Sequence, residues 1–232
     1  MSTTSHRQPA PDSATPADGR TSRWIEVWDP LVRTGHWLLV LGFFAAWLTE
    51  DELLSVHVWA GYLVGVVVMI RVLWGLVGPR HARFSDFVYA PGQVLAHLRA
   101  LLALRSERYV GHSPAGGVMV LALLLSLSAT VTTGLVVYAL EENAGPLAGR
   151  VASAPGDTEH AFFPAARADD DEHERERTVD HEARGESWEE AHELFANLTL
   201  MLIGFHVAGV LLTSAVNREN LVRAMLTGRK RA

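Results

Sequence analysis

The sequence has 232 residues, 49% of them hydrophobic and 20% charged, with a formal net charge of −6 and no cysteine. The lack of cysteine excludes disulfides, iron–sulfur cluster ligation and thiolate chemistry, and it leaves histidine as the strong metal ligand of the chain. The apolar residues are concentrated in four blocks, at 34–49, 56–78, 114–140 and 193–216. Because about 20 apolar residues cross a bilayer core of about 30 Å as a helix, these blocks predict four transmembrane helices.

Basic residues predict how the helices are oriented. Fourteen Lys and Arg side chains lie in residues 1–33, 78–112 and 217–232, whereas the connection 141–190 has five and the short turn 50–55 has none. Segments rich in Lys and Arg stay in the cytoplasm. Both termini are therefore predicted to be cytoplasmic, and the connection 141–190 is predicted to lie outside, in the periplasm of a Gram-negative cell.

The segments around the blocks divide the chain into four parts. Residues 1–23 have the Ser-, Pro- and Ala-rich composition of a disordered tail, residues 24–147 carry the first three helices, and residues 187–232 carry the fourth helix and a basic tail. Residues 148–186 form an acidic loop, flexible or loosely helical, that is either a solvated segment or a surface for a cationic partner through electrostatic steering. In the second connection, residues 91–105 have the apolar spacing of an amphipathic surface helix, with a solvated connector as the equal alternative.

Five of the eleven histidines lie at or within the predicted helices. They are His36, His57, His112, His192 and His206. An ionisable residue in a membrane segment is costly and points to a functional site. Any one of the five, taken alone, is equally compatible with a hydrogen bond between helices.

The alternating direction of the helices places four of these histidines at two levels. His57 opens helix 2 and His192 opens helix 4, both at the outer side, whereas His36 opens helix 1 at the inner side. His206 lies fourteen residues after His192, which is about 21 Å further along the axis and within about 40° of the same helix face. We therefore predict an outer pair, His57 with His192, and an inner pair, His36 with His206.

Two neutral imidazoles that face each other across a helical bundle suit the two axial positions of a haem iron. Zinc prefers a tetrahedral set of four ligands, and no Cys or carboxylate lies at the same depth. The predicted fold class is an all-α integral membrane four-helix bundle with two stacked haems b and cytoplasmic N and C termini. Small residues near the ligands fit a flat macrocycle or close helix packing; they are Gly35, Gly61, Gly65, Gly204 and Gly209.

Other residues near the ligands have more than one interpretation. Arg71 lies within helix 2 near the inner level, where its guanidinium suits a haem propionate or a quinone headgroup, with snorkelling to the interface as the alternative. His112 opens helix 3 at the cytoplasmic side. It could replace His36 as an inner ligand, contact a quinone or form part of a helix cap. Three tryptophans suit either stacking near haem or quinone or a place in the aromatic belt of the membrane interface: Trp37, Trp59 and Trp74.

Four phrases of the sequence carry a family resemblance. They read VWDPLVRTGHW at 27–37, HVWAGYLVGVVVMIRVLWGLVGPRHARFSDFV at 57–88, GHSPAGGVMVL at 111–121 and HELFANLTLMLIGFHVAGVLLTSAVNRENLVRAMLTGRKR at 192–231. Together they resemble the prokaryotic di-haem cytochrome b-561 family, which includes the b-type cytochrome subunit of nickel–iron hydrogenases. The ligand pattern of that family falls on His36, His57, His192 and His206. The acidic stretch at about 157–185 looks like an insertion relative to the compact form of the family.

The resemblance implies electron transfer across the bacterial inner membrane, between a donor at the outer face and the quinone pool. It implies two haems b as cofactors, ubiquinone or menaquinone as the mobile carrier, and a periplasmic c-type cytochrome or hydrogenase-like subunit as partner. Two alternatives stay open. One is a self-contained oxidoreductase that takes electrons from superoxide and reduces ubiquinone, and the other is a haem-free membrane anchor whose histidines only bridge helices. No feature of the sequence points to nucleic acid.

Overall fold

A computed structural model shows a bundle of long helices and describes residues 24–27, 29–50, 52–79, 82–105, 109, 111–151 and 170–231. In chain order the elements are β1 (Trp24–Glu26), α1 (Pro30–Leu48), α2 (Leu54–Val77), a 3₁₀ turn (Phe84–Asp86), α3 (Pro91–Leu102), α4 (Pro114–Glu141), α5 (Ala148–Val151), α6 (Asp170–Asn217), α7 (Leu221–Thr227) and β2 (Arg229–Arg231). The tail predicted at residues 1–23 lies outside the described residues.

Four helices are long and apolar enough to cross a membrane: α1, α2, α4 and the part of α6 from Ala183 to Asn217. Caps fix where two of them begin. The Asp29 carboxylate accepts a hydrogen bond from the Leu31 amide at 2.7 Å, and the Ser113 hydroxyl accepts one from the Gly116 amide at 3.2 Å. Each cap is followed by a proline in the first turn, where no amide hydrogen is needed. The predicted all-α membrane architecture is confirmed.

The transmembrane helices pack in succession: α1 lies along α2, α2 lies against α4, and α4 lies along α6. Their common core consists of Phe43, Val64, Val68, Leu124 and Leu127. Of the most apolar stretch of each helix, 28% is buried in α2 and α4, but only 11% in α1 and 6% in α6. Within the described residues, the backbones of the α1–α2 pair barely approach that of α6, so a gap separates them.

The first and last described segments meet at one end of the bundle. β1 pairs antiparallel with β2, and the Val27 amide donates a hydrogen bond to the Gly228 carbonyl at 2.9 Å. The Arg33 guanidinium at the start of α1 donates a hydrogen bond to the Leu226 carbonyl of α7. Gly228 ends α7 with a φ of 79°, a left-handed conformation that glycine adopts without strain. The sequence does not predict this ribbon, because strands of three residues carry no periodic signal.

The amphipathic helix expected at 91–105 is present as α3. It packs against α4 at the same end of the bundle, with His97 and Leu101 buried. Its exposed apolar side chains include Leu95, Leu98 and Leu102. Exposed leucines on a short helix at the end of a membrane bundle suit the interface between headgroups and hydrocarbon.

Helix α6 extends well beyond the membrane. Its 48 residues cover about 72 Å at about 1.5 Å per residue, more than twice the thickness of a bilayer core. The part of the acidic connection from Asp170 onward is helical and continuous with the fourth transmembrane segment. Residues 152–169 of that connection lie outside the described residues.

Candidate functional site

The structure brings together the two histidine pairs that the spacing predicts. The ring centroids of His57 and His192 are 6.1 Å apart with the rings at 78°, and those of His36 and His206 are 6.3 Å apart at 52°. A metal ion between two imidazoles separates their centroids by about 6 Å, because a metal–nitrogen bond is about 2 Å long and each ring adds about 1 Å. Both pairs therefore have the spacing that a shared metal ion requires.

Backbone carbonyls orient the outer pair. The His57 Nδ1 lies 2.9 Å from the Ala46 carbonyl of α1, and the His192 Nδ1 lies 2.9 Å from the Thr130 carbonyl of α4. A carbonyl oxygen only accepts, so each neutral ring donates from Nδ1 and keeps its lone pair on Nε2. The Thr133 hydroxyl lies 3.1 Å from the same His192 nitrogen. Such contacts hold the ring and tautomer that metal binding needs.

Gly134 on α4 gives the His192 ring the space that it occupies. A Cβ added at this position would lie 2.8 Å from Cε1 and 3.1 Å from Nδ1 of the ring. Atoms in proteins do not approach this closely, so a side chain here would displace the imidazole. The glycines singled out from the sequence did not include Gly134, because its role depends on a contact between residues 58 positions apart.

A cavity of about 90 Å³, partly open to the surface, lies against the outer pair. It lies in the gap between the α1–α2 pair and α6, and its lining includes Phe43, Gly61, Val64, Leu127 and Val131 besides the two histidines. A Cβ on Gly61 would meet no atom of the described residues within 4 Å, so this wall stays open towards the cavity.

Several buried nitrogens near the inner pair have no hydrogen-bond partner among the described residues. They include His36 Nδ1, Trp37 Nε1, Arg71 Nη1 and Trp74 Nε1. A Cβ on Gly35 would lie 3.5 Å from Val67, so His36, the next residue, is near the level of Val67 on α2. Arg71 follows Val67 by four residues, or about one turn, and therefore lies one turn closer to the end where β1 meets β2. Buried donors are nearly always paired in folded proteins. This group of donors therefore fits a ligand that supplies acceptor oxygens.

The remaining predicted residues lie in different places. His112 packs on the Phe87 ring, with centroids 4.5 Å apart, and its carbonyl accepts a hydrogen bond from the Tyr89 hydroxyl at 3.2 Å. Trp59 is 73% exposed, which suits the aromatic belt better than a cofactor contact. A Cβ on Gly65 would lie 3.0 Å from Val131, so this glycine serves helix packing, whereas one on Gly204 or Gly209 would meet nothing within 4 Å.

Four carboxylates lie at the end of the bundle that contains the outer cavity. Glu50 lines the cavity itself. Glu141 and Glu142 follow one another where α4 ends, and Glu189 of α6 lies close enough to Glu141 to interact with it electrostatically. We call these four residues the acidic rim. No lysine or arginine lines the cavity within the described residues.

One family model, described as prokaryotic cytochrome b561, matches residues 27–228 of the chain. The matched region contains all four transmembrane helices and both histidine pairs. No curated protein and no solved structure matches the chain.

Proposed function

Because the chain belongs to the prokaryotic cytochrome b561 family and is thus an electron-carrying b-type cytochrome of the membrane, we propose that it connects a periplasmic redox partner with the quinone pool. It is a multi-pass protein of the bacterial inner membrane and binds b-type haem. Two haems, each held by one histidine pair, would carry the electrons across the membrane. The observation that carries the proposal is the pair of facing imidazoles at each of two levels of the bundle.

Four histidines would hold two haems b in this proposal. His57 and His192 would hold the outer haem, and His36 and His206 the inner one. When bound, each haem iron alternates between the ferric and ferrous states and so carries one electron. The chain itself keeps the outer imidazoles in the ligating tautomer through the Ala46 and Thr130 carbonyls. Apolar side chains around the cavity exclude water. This burial of the haem is one of the factors that set its reduction potential.

The inner site offers groups that match haem propionates. Among the described residues, one buried nitrogen of Arg71 has no hydrogen-bond partner, and neither has the indole nitrogen of Trp74, three residues later on the same helix face. A guanidinium pairs with a carboxylate through two parallel hydrogen bonds, and an indole nitrogen donates one. We assign both residues to the inner propionates. Arg71 would then balance a charge that costs free energy at this depth.

The acidic rim supports a protein donor at the outer face. Carboxylates near the outer cavity attract a cationic surface, such as the basic face of a small c-type cytochrome, and accelerate its approach. The same carboxylates repel superoxide, which is an anion. The charge distribution therefore favours an electron-transfer subunit with a periplasmic partner over a self-contained superoxide oxidase.

Haem content tests the proposal directly. Purified protein from haem-supplemented cells should contain two haems per chain and show two redox transitions. The variant His192→Ala should lose the outer haem alone, and His206→Ala the inner haem alone, because each removes one ligand of one pair. Asn197→Ala, an exposed position between them on α6, should keep both haems. A wild-type protein with no haem, or with one, would refute the proposal.

Reduction kinetics test the proposed partner. Stopped-flow mixing with a reduced, basic c-type cytochrome should reduce the outer haem at a rate that falls steeply between low and physiological salt, because the interaction is between exposed charges. Superoxide alone should reduce the protein slowly. Fast reduction by superoxide, together with a salt-independent reaction with the cytochrome, would favour the self-contained oxidase instead.

A further inference from the structure

Three hydroxyl side chains form a cluster between the two histidine levels, where α4 packs on α6. Thr199 of α6 is fully buried, and its hydroxyl lies 2.7 Å from that of Ser126 and 3.2 Å from that of Thr130, both on α4. We call these three residues the hydroxyl cluster. In a membrane, no water replaces such hydrogen bonds when the two helices shift.

The position of Thr199 on α6 is specific. It lies seven residues after His192 and seven before His206. Seven residues come within about 20° of two whole turns, so the three side chains leave the same face of the helix. The hydroxyl cluster therefore holds α6 against α4 midway between the outer and the inner pair.

Thr130 connects the cluster to the outer pair. Its hydroxyl contacts Thr199, and its carbonyl accepts the hydrogen bond of His192 Nδ1 at 2.9 Å. The axial position of α6 relative to α4 thus determines both the Thr130–Thr199 contact and the hydrogen bond of His192. The inner pair has no such tie, since neither His36 nor His206 hydrogen bonds to α4 within the described residues.

We propose that Thr199 is a positioning residue for the outer haem. Its hydroxyl fixes the register of α6 on α4, and this register places the His192 ring against the Thr130 carbonyl. The inference rests on the proposed function, because it presupposes that His192 is a haem ligand. It assigns no contact with haem to Thr199 itself.

Conservative substitutions isolate the hydroxyl from the packing. Thr199→Val keeps the branched shape and removes the hydrogen bonds. Thr132→Val is the matched control, because the exposed Thr132 hydroxyl bonds, within the described residues, only to the Ser128 carbonyl of its own helix, at 2.7 Å. Thr199→Ser restores the hydroxyl. For each variant we would measure the haem-to-chain ratio, the largest EPR g value and midpoint potential of each haem, and the thermal unfolding midpoint.

We expect Thr199→Val to shift the g value and the potential of the outer haem and to weaken its retention about tenfold, at the lower end of the effects seen for groups that orient a metal ligand. The inner haem should change much less, Thr132→Val should match the wild type, and Thr199→Ser should restore the outer signals. An unchanged outer haem in Thr199→Val would overturn the inference, and so would equal changes in both haems with a lowered unfolding midpoint. Wild-type protein without an outer haem would instead refute the proposed function.

Discussion

Replacing Gly134 with alanine should selectively damage the outer site. The added Cβ would lie 2.8 Å from His192 Cε1, whereas ordinary contact begins at 3.4 Å, so the ring has to move by about 0.6 Å. That displacement exceeds the tolerance of about 0.5 Å within which a functional site keeps its geometry, and it disturbs the bond from Nδ1 to the Thr130 carbonyl. Losing the orientation of a ligand weakens metal binding about 10- to 100-fold, or by about 1.4 to 2.7 kcal/mol.

The assay is haem content together with a redox titration of purified protein. Gly134→Ala should keep the inner haem and lose most of the outer haem when haem is limiting. Gly92→Ala is the control, because a Cβ at this exposed helical glycine meets nothing within 4 Å, while the gain in helix propensity is the same. Full retention of the outer haem in Gly134→Ala, with an unshifted midpoint potential, would show that the His192 ring does not depend on this space.

Three further predictions concern the end of the bundle where β1 meets β2. Arg71→Gln should lower the midpoint potential of the inner haem by several tens of millivolts, because a buried cation favours the reduced iron; redox titration checks this, with the exposed Arg99→Gln as control. His112→Ala should keep two haems per chain, because His112 packs on Phe87 and the inner imidazoles already face each other; loss of a haem would reassign the inner pair. Gly228→Ala should destabilise the α7–β2 connection by about 1 kcal/mol, because its φ of 79° is unfavourable for alanine, and thermal unfolding would show a lowered midpoint.

The transmembrane helices and the histidine pairs follow from the sequence because each rests on a local regularity. Length and apolarity predict a membrane span, and the interval of fourteen residues places His192 and His206 on one face. Alternating helix direction then supplies the partners. The contacts of His57 and His192 with backbone carbonyls could not be predicted, because a carbonyl leaves no mark in the sequence.

Gly134 and Thr199 show a second limit. Both lie in apolar helices where glycine and threonine are common, and their importance arises from contacts across 58 and 69 to 73 residues of chain. The registers of α4 and α6 decide these contacts, and periodicity leaves that register undetermined. The β1–β2 ribbon could not be predicted either, because strands of three residues carry no periodic signal and these two pair across almost the whole described chain.

The arrangement of the pairs also dictates an order of assembly. Each pair takes one imidazole from α1 or α2 and the other from α6, across 135 residues for the outer pair and 170 for the inner. During synthesis α1 and α2 enter the membrane long before α6. At that stage each pair has only one of its two imidazoles. With the ligands proposed above, a six-coordinate haem would form only after the last transmembrane helix has inserted, so the absorption spectrum of this protein would also report that its biogenesis is complete.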